Sequence, residues 1–186
     1  MKKHLLTVLL SFCLLGCQAP EYKEFSLNLF QHRDPIAIKT DEIVVLSNVI
    51  QYDRLPHIED EMIISPEKAL KEWAKNRFYP LKSTRSDKMQ IIIEKAYMTK
   101  TDEKAENWYT LDNEAYKLTY DLKINFEKNG KVLYSQTVSG YESSSLPKKS
   151  SMSDKEQVFE KMMNKMIQKV NQRALYQMPK EFIVSN

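Results

Sequence analysis

From Tyr116 to Phe126 apolar and polar residues alternate without a break. Tyr116, Leu118, Tyr120, Leu122, Ile124 and Phe126 fall on one side, and Lys117, Thr119, Asp121, Lys123 and Asn125 on the other. Successive side chains of a strand point to opposite faces, whereas a helix would scatter this set around its circumference. The segment is therefore a strand with one buried and one wet face, and the rest of the chain must supply an apolar layer to cover it. Asn129-Gly130 then turns the chain. A two-residue loop would set Phe126 opposite Leu133 and Ile124 opposite Ser135. A three-residue loop, Lys128 to Gly130, pairs 126 with 132, 124 with 134 and 120 with 138, gathering Val132, Tyr134 and Val138 on the apolar face. A one-residue slip flips the whole set, so the pattern predicts the three-residue loop with Gly130 left-handed.

Two amphipathic helices supply the covering layer. Ser65-Pro66-Glu67 offers a capping hydroxyl, proline at the first helical position and an acid in the first turn. Leu70, Trp73, Ala74, Arg77 and Phe78 follow at helical spacing, and Pro80 closes the element. Ser153-x-x-Glu156 is a capping-box pattern. It opens a long helix with the face Val158, Phe159, Met162, Met163, Met166, Ile167, Val170, Ala174 and Leu175, ending before Pro179. Its methionines keep the helical period among Val, Ile and Phe, which reads as core packing; an adaptable groove for acyl chains is the alternative.

Ile36 to Ile50, with Ile43-Val44-Val45-Leu46, predicts a well-buried strand, and Met89 to Met98 a second. Residues 51–64 are extended and carry Pro56, 99–114 form an excursion loop holding Trp108 and Tyr109, and 142–152 a serine-rich loop. The order strand, helix, three strands, helix predicts an α+β fold. We expect a two-layer sandwich with a mostly antiparallel four-stranded sheet, both helices on one face, in a single domain over 35–186.

The start of the chain bears on location. Lys2 and Lys3 precede Leu5 to Leu15, apolar but for Thr7 and Ser11. This run is too short for a membrane span, which takes roughly 20 residues, and suits the core of a secretory signal. It ends in Leu14-Leu15-Gly16-Cys17, which resembles the bacterial lipobox. The resemblance implies a signal peptide over 1–16, diacylglycerol on Cys17, and a lipidated tether over 17–34. Gln18 in the second position after cleavage, rather than Asp, implies the periplasmic face of the outer membrane. Cys13 leaves with the leader and Cys17 is the anchor, so the folded body offers no disulfide, thiolate metal site or cysteine nucleophile. The leader takes two of the 28 basic residues and none of the 25 acids. The remainder is close to neutral, which does not suggest a nucleic-acid binder.

Catalytic signatures are scarce. After the leader only Gly130 and Gly140 remain, too few for a phosphate-cradling loop. There is no G-x-S-x-G elbow and no H-E-x-x-H. His32 and His57 survive. The run His57-Ile58-Glu59-Asp60-Glu61 has metal-ligand residue types without a ligand spacing, and no cofactor is expected. A hydrolase or metal enzyme would need a pocket of convergent polar groups around His57 or the acids at 59–61. Lys68, Lys71, Lys75, Arg77, Lys82 and Arg85 form either a solvated surface or one that meets anionic lipid headgroups. Trp108 and Tyr109 either bind a partner or cover a sheet edge.

Three stretches carry a further resemblance: Ser65-Pro66-Glu67-Lys68-Ala69-Leu70 with Trp73, the meander 116–141, and the helix 154–177. Their order is similar to the auxiliary lipoproteins of ABC-type lipid transporters, including the paraquat-inducible operon type, and to the lipopolysaccharide-assembly lipoprotein of the outer-membrane translocon. The stretch from Pro56-His57-Ile58-Glu59 through Trp73-Ala74 also resembles uncharacterised alphaproteobacterial lipoproteins. The resemblance implies a non-enzymatic accessory or binding component of envelope lipid or lipopolysaccharide transport. Its implied partners are the membrane, an envelope transport or outer-membrane protein, and a lipid ligand. A structural module docking on a membrane protein is the alternative, and a periplasmic hydrolase the remoter one.

Overall fold

The computed structural model of the chain describes residues 34–52, 54–105 and 112–184; Cys17, Gln18, His32, Trp108 and Tyr109 lie outside them. Strands β1 (Ile36–Ser47), β2 (Phe78–Glu103), β3 (Asn113–Lys128) and β4 (Lys131–Pro147) lie side by side in chain order. β1 and β2 run parallel, linked through helix α1 (Pro66–Arg77), and the other neighbours are antiparallel. Helix α2 (Met152–Gln177) packs on β4 and β3 and meets α1, so both helices cover one sheet face. The predicted α+β sandwich is the observed one. No helix among the described residues is long and apolar enough to cross a membrane.

The core lies between the layers. Tyr116, Leu118, Tyr120, Leu122, Ile124 and Phe126 are all buried beneath Leu70, Trp73 and the face Phe159, Met162, Met163, Met166 and Val170. The methionines of α2 are thus core. Asn171 is also buried and joins the helices: its Oδ1 accepts from Arg77 Nε at 2.8 Å and from Trp73 Nε1 at 3.4 Å. Sheet side chains hold both ends of α2. Lys155 in its first turns meets Glu114 at 2.6 Å, and Glu114 accepts from the Tyr116 hydroxyl at 2.5 Å. At the far end Gln136 donates to the Ala174 carbonyl, which also accepts the Met178 N–H, and Tyr134 donates to the Gln177 carbonyl in the last turn.

The hairpin corrects the predicted register. Asn129 (φ 51°) and Gly130 (φ 72°) make a two-residue turn pairing Lys128 with Lys131, the left-handed geometry that matches strand twist. Alone, that turn would turn the alternating set of β4 to the wrong face. Leu133 is then bulged out, so that Glu127 pairs with Val132 but Phe126 with Tyr134. Ile124 meets Gln136 and Leu122 meets Val138. Tyr134 and Val138 join the apolar face as expected, whereas Val132 is left exposed. The hydrophobic demand for a shift of one is met by a bulge rather than a longer loop.

Other boundaries also differ. β1 is an edge strand, so Ile38 is buried at its start but Leu46, expected in the core, is 43% exposed. Helix α1 stops at Arg77 without help from Pro80, which lies inside β2 opposite Ile38. There β2 has a partner on one side only, where a residue lacking an N–H is tolerated. Both ends of the expected 99–114 loop are strand, β2 reaching Glu103 and β3 starting at Asn113. The capping box of α2 is Ser151 with Asp154, two residues before the predicted pair, because Ser151 also places an acid three residues on.

Gly140 faces Tyr120 across the β3–β4 pair, and a Cβ there would lie 2.5 Å from the Tyr120 hydroxyl oxygen. Gly140→Ala is expected to cost roughly 1–3 kcal/mol through overpacking, read as a lowered melting temperature. Tyr120→Phe should be near neutral, since that hydroxyl is buried without a hydrogen-bond partner among the described residues.

Candidate functional site

The site arises because β1 ends at Ser47 while β2 continues to Glu103. Beyond their last pair, Ser47 with Ile93, the edge of β2 is taken over by the 48–61 segment. Asn48 N–H donates to the Ile93 carbonyl at 2.9 Å, Ile58 N–H to Met98 at 3.2 Å, and Lys100 N–H to Pro56 at 2.8 Å. Between these attachments the segment stands off the sheet and leaves two adjoining cavities.

β2 supplies the floor. Its buried residues change from odd to even numbers, Met89, Ile91 and Ile93 giving way to Ala96 and Met98. Glu94 is the extra residue at the change, a bulge that sends Lys95, Tyr97 and Thr99 to the open face. One cavity, of ≈ 410 Å³, is lined by Asn48, Tyr52, His57, Glu94, Lys95 and Thr99 among others; Asn48 donates to Glu94 at 3.0 Å. The other, of ≈ 430 Å³, is lined by Gln51, Glu59, Asp60, Ser65, Glu67 and Ala96. Val49, Ile50, Tyr52 and Tyr97 wall both.

His57 holds the aromatic wall together. Its ring stacks on Tyr52 with centroids 4.3 Å apart and meets Tyr97 edge-on at 5.2 Å. His57 Nδ1 lies 3.3 Å from Glu59 Oε1, which also accepts the Met98 N–H at 2.7 Å; Glu59 Oε2 is buried without a partner among the described residues. Burial pushes the Glu67 carboxyl up, but hydrogen bonds from Lys71, Ser47 and Gln51 outweigh it and hold it below its ordinary value. Lys71 makes the closest of these contacts, 2.5 Å.

The pocket that a hydrolase would need beside His57 and the acids at 59–61 is therefore present. A nucleophile is not positioned in it, since His57 makes no hydrogen bond to a hydroxyl or thiol among the described residues. No group of three or more His, Cys, Asp or Glu among the described residues converges closely enough to hold a metal ion. Of the basic residues, Lys68 and Lys75 are exposed on α1, Lys71 is paired with Glu67, and Arg77 is tied to Asn171 and to the Asp34 carbonyl. Lys82 and Arg85 are exposed in the stretch of β2 that bulges between the pairs Lys39–Leu81 and Thr40–Ser86. Exposed apolar side chains include Ile50, Tyr52 and Leu55 on the segment over the cleft, with Leu46 before it and Ile63 after it; others, such as Leu133 and Tyr141 on β4, lie elsewhere. Sequence reading missed Tyr52, Tyr97 and Glu67. The switch from Ile91 and Ile93 to Ala96 and Met98 was the available signal for Tyr97.

No protein-family model matches the chain, and no curated protein sequence matches it. Solved structures similar to it include a minor lipoprotein from Acinetobacter baumannii, at 10% identity and TM-score 0.44, covering 80% of this chain and 99% of that one. A neuraminyllactose-binding haemagglutinin homologue from Helicobacter pylori has 13% identity and TM-score 0.44, covering 80% of this chain and 91% of that one. Rare lipoprotein B from Shewanella oneidensis has 6% identity and TM-score 0.41, covering 73% and 95%. Likeness at this level carries no argument about function.

A carboxyl held low in the folded state stabilises it above the unfolded value and loses that contribution as pH falls through the folded one. The melting temperature should therefore drop as pH falls below the ordinary carboxylate value of 4.5. Glu67→Gln should make that drop shallower, as thermal melts at stepped pH would read.

Proposed function

We propose that the chain is a non-enzymatic binding module of the bacterial envelope, anchored through acylated Cys17 at the periplasmic face of the outer membrane and serving lipid or lipopolysaccharide transport. The observation that carries this reading is the run of exposed apolar side chains on and beside the segment that walls the cleft, of which Ile50 and Tyr52 line the cavities. Leu46, Ile50, Tyr52, Leu55 and Ile63 are 43–67% exposed within one short stretch, and clustered exposed apolar groups mark contact surfaces. The core itself is filled by side chains, so an acyl chain would lie along this rim rather than inside the domain. The lipobox resemblance of Leu14 to Cys17 supports the anchor. The Glu59-held imidazole without a positioned nucleophile supports binding over hydrolysis.

The test is gentle extraction from the native membrane followed by native mass spectrometry. Co-purified lipid, with or without a transport subunit, is the expected result. Cys17→Ser should release the protein from the membrane fraction. Ile50→Glu with Leu55→Glu should remove the bound species while leaving the melting temperature within a few degrees, because both side chains are already exposed. A bare chain that stays membrane-bound would overturn the transport reading. A protein partner retained without lipid, and lost with the same substitutions, would establish a docking module instead.

A further inference from the structure

The cavity between the 49–60 segment and the start of α1 has an unusual balance. Its carboxylates are Glu59, Asp60 and Glu67, and no lysine or arginine lines it. Lys71 answers Glu67 from outside. Asp60 is exposed at the wall and has no ion pair among the described residues, while Glu59 is half-buried there with its Oε1 accepting the Met98 N–H and no cationic partner from a lysine or arginine among the described residues. The same cavity is walled by the rings of Tyr52 and Tyr97 and by the apolar Val49, Ile50 and Ala96.

These carboxylates do not converge on a point, as a metal ion would require. Spread acids beside tyrosine faces suit a diffuse organic cation, which the ring quadrupole attracts and the carboxylates neutralise. We propose that this cavity binds the ammonium group of an amphiphilic amine, held between Glu59, Asp60 and the rings of Tyr52 and Tyr97, with its apolar part along Val49 and Ile50. The proposal rests on the reading of this face as lipid-binding and names the chemistry of the head it would receive.

The full chain, in a non-ionic detergent, should bind tetramethylammonium chloride saturably, with half-saturation at or below about 10 mM by saturation-transfer NMR. Tyr97→Leu and Glu59→Gln should each weaken binding at least threefold, and Glu72→Gln on the outer side of α1 should not. Circular dichroism melts of each variant check that the fold is kept. Competition by phosphatidylethanolamine vesicles would make the source a lipid headgroup, and competition by spermidine alone a soluble amine; both support the site. Absence of saturable binding, or binding unchanged in both folded cleft variants, would overturn it. Lipid co-purifying with a chain that ignores tetramethylammonium would sink this site and leave the transport reading standing. Ammonium binding by a chain that carries no lipid would do the reverse.

Discussion

The unequal length of two parallel neighbours governs this molecule. β2 is 26 residues long and β1 only 12, so beyond Ile93 one edge of β2 has no strand to satisfy it. Unpaired backbone groups at an edge are a liability. The chain meets it by laying 56–58 along β2, with Ile58 and Lys100 supplying the hydrogen bonds. The segment between Ser47 and that attachment must bridge from strand end to strand edge, and it arches because its ends are fixed. The cleft is the space beneath the arch. Its walls are side chains the fold does not need for its core, which is the usual condition for a binding site mounted on a rigid frame.

The opposite edge of β1 is handled in the same spirit at the other end of the chain. After α2 a short turn, Lys180–Phe182, stacks Phe182 on Phe126 at 4.1 Å, and Val184 N–H donates to Ala37. With α2 fixed at both ends by sheet side chains and tied to α1 through Asn171, the helix layer has little freedom to slide. The rigid part of the molecule is thus the layer pair, and variation in shape is left to the segment over the cleft.

The hydrophobic periods of β3 and of both helices were legible because each obeys one rule over a long run. What escaped were the places where a strand breaks its own parity. Leu133 and Glu94 are single extra residues, and each moves every following side chain to the other face. In β4 the apolar set demanded such a shift, and the demand was readable even though its solution was not. In β2 the triplet Ile91-Ile92-Ile93 hides the starting parity, so the signal in Ala96 and Met98 that Tyr97 faces outward could be read only once that parity was known. The burial of β1 failed for a different reason: edge or centre is decided by strand order, which a single segment does not contain.

A ligand held at this cleft would stay partly in water. The layer between helices and sheet is filled by Trp73, the α2 methionines and the six alternating residues of β3, so opening room for an acyl chain there would cost several core contacts at roughly 2–5 kcal/mol for each large side chain displaced. Binding under the arch displaces none of them. On the proposed reading this favours a carrier that receives and releases over one that encloses, because the energy of contact comes from a rim already exposed and from carboxylates already in the cavity wall. The imidazole beside Glu59 also has a packing part in this arrangement: His57 stacks on Tyr52 and makes an edge contact with Tyr97, linking the segment over the cleft to the floor that β2 supplies.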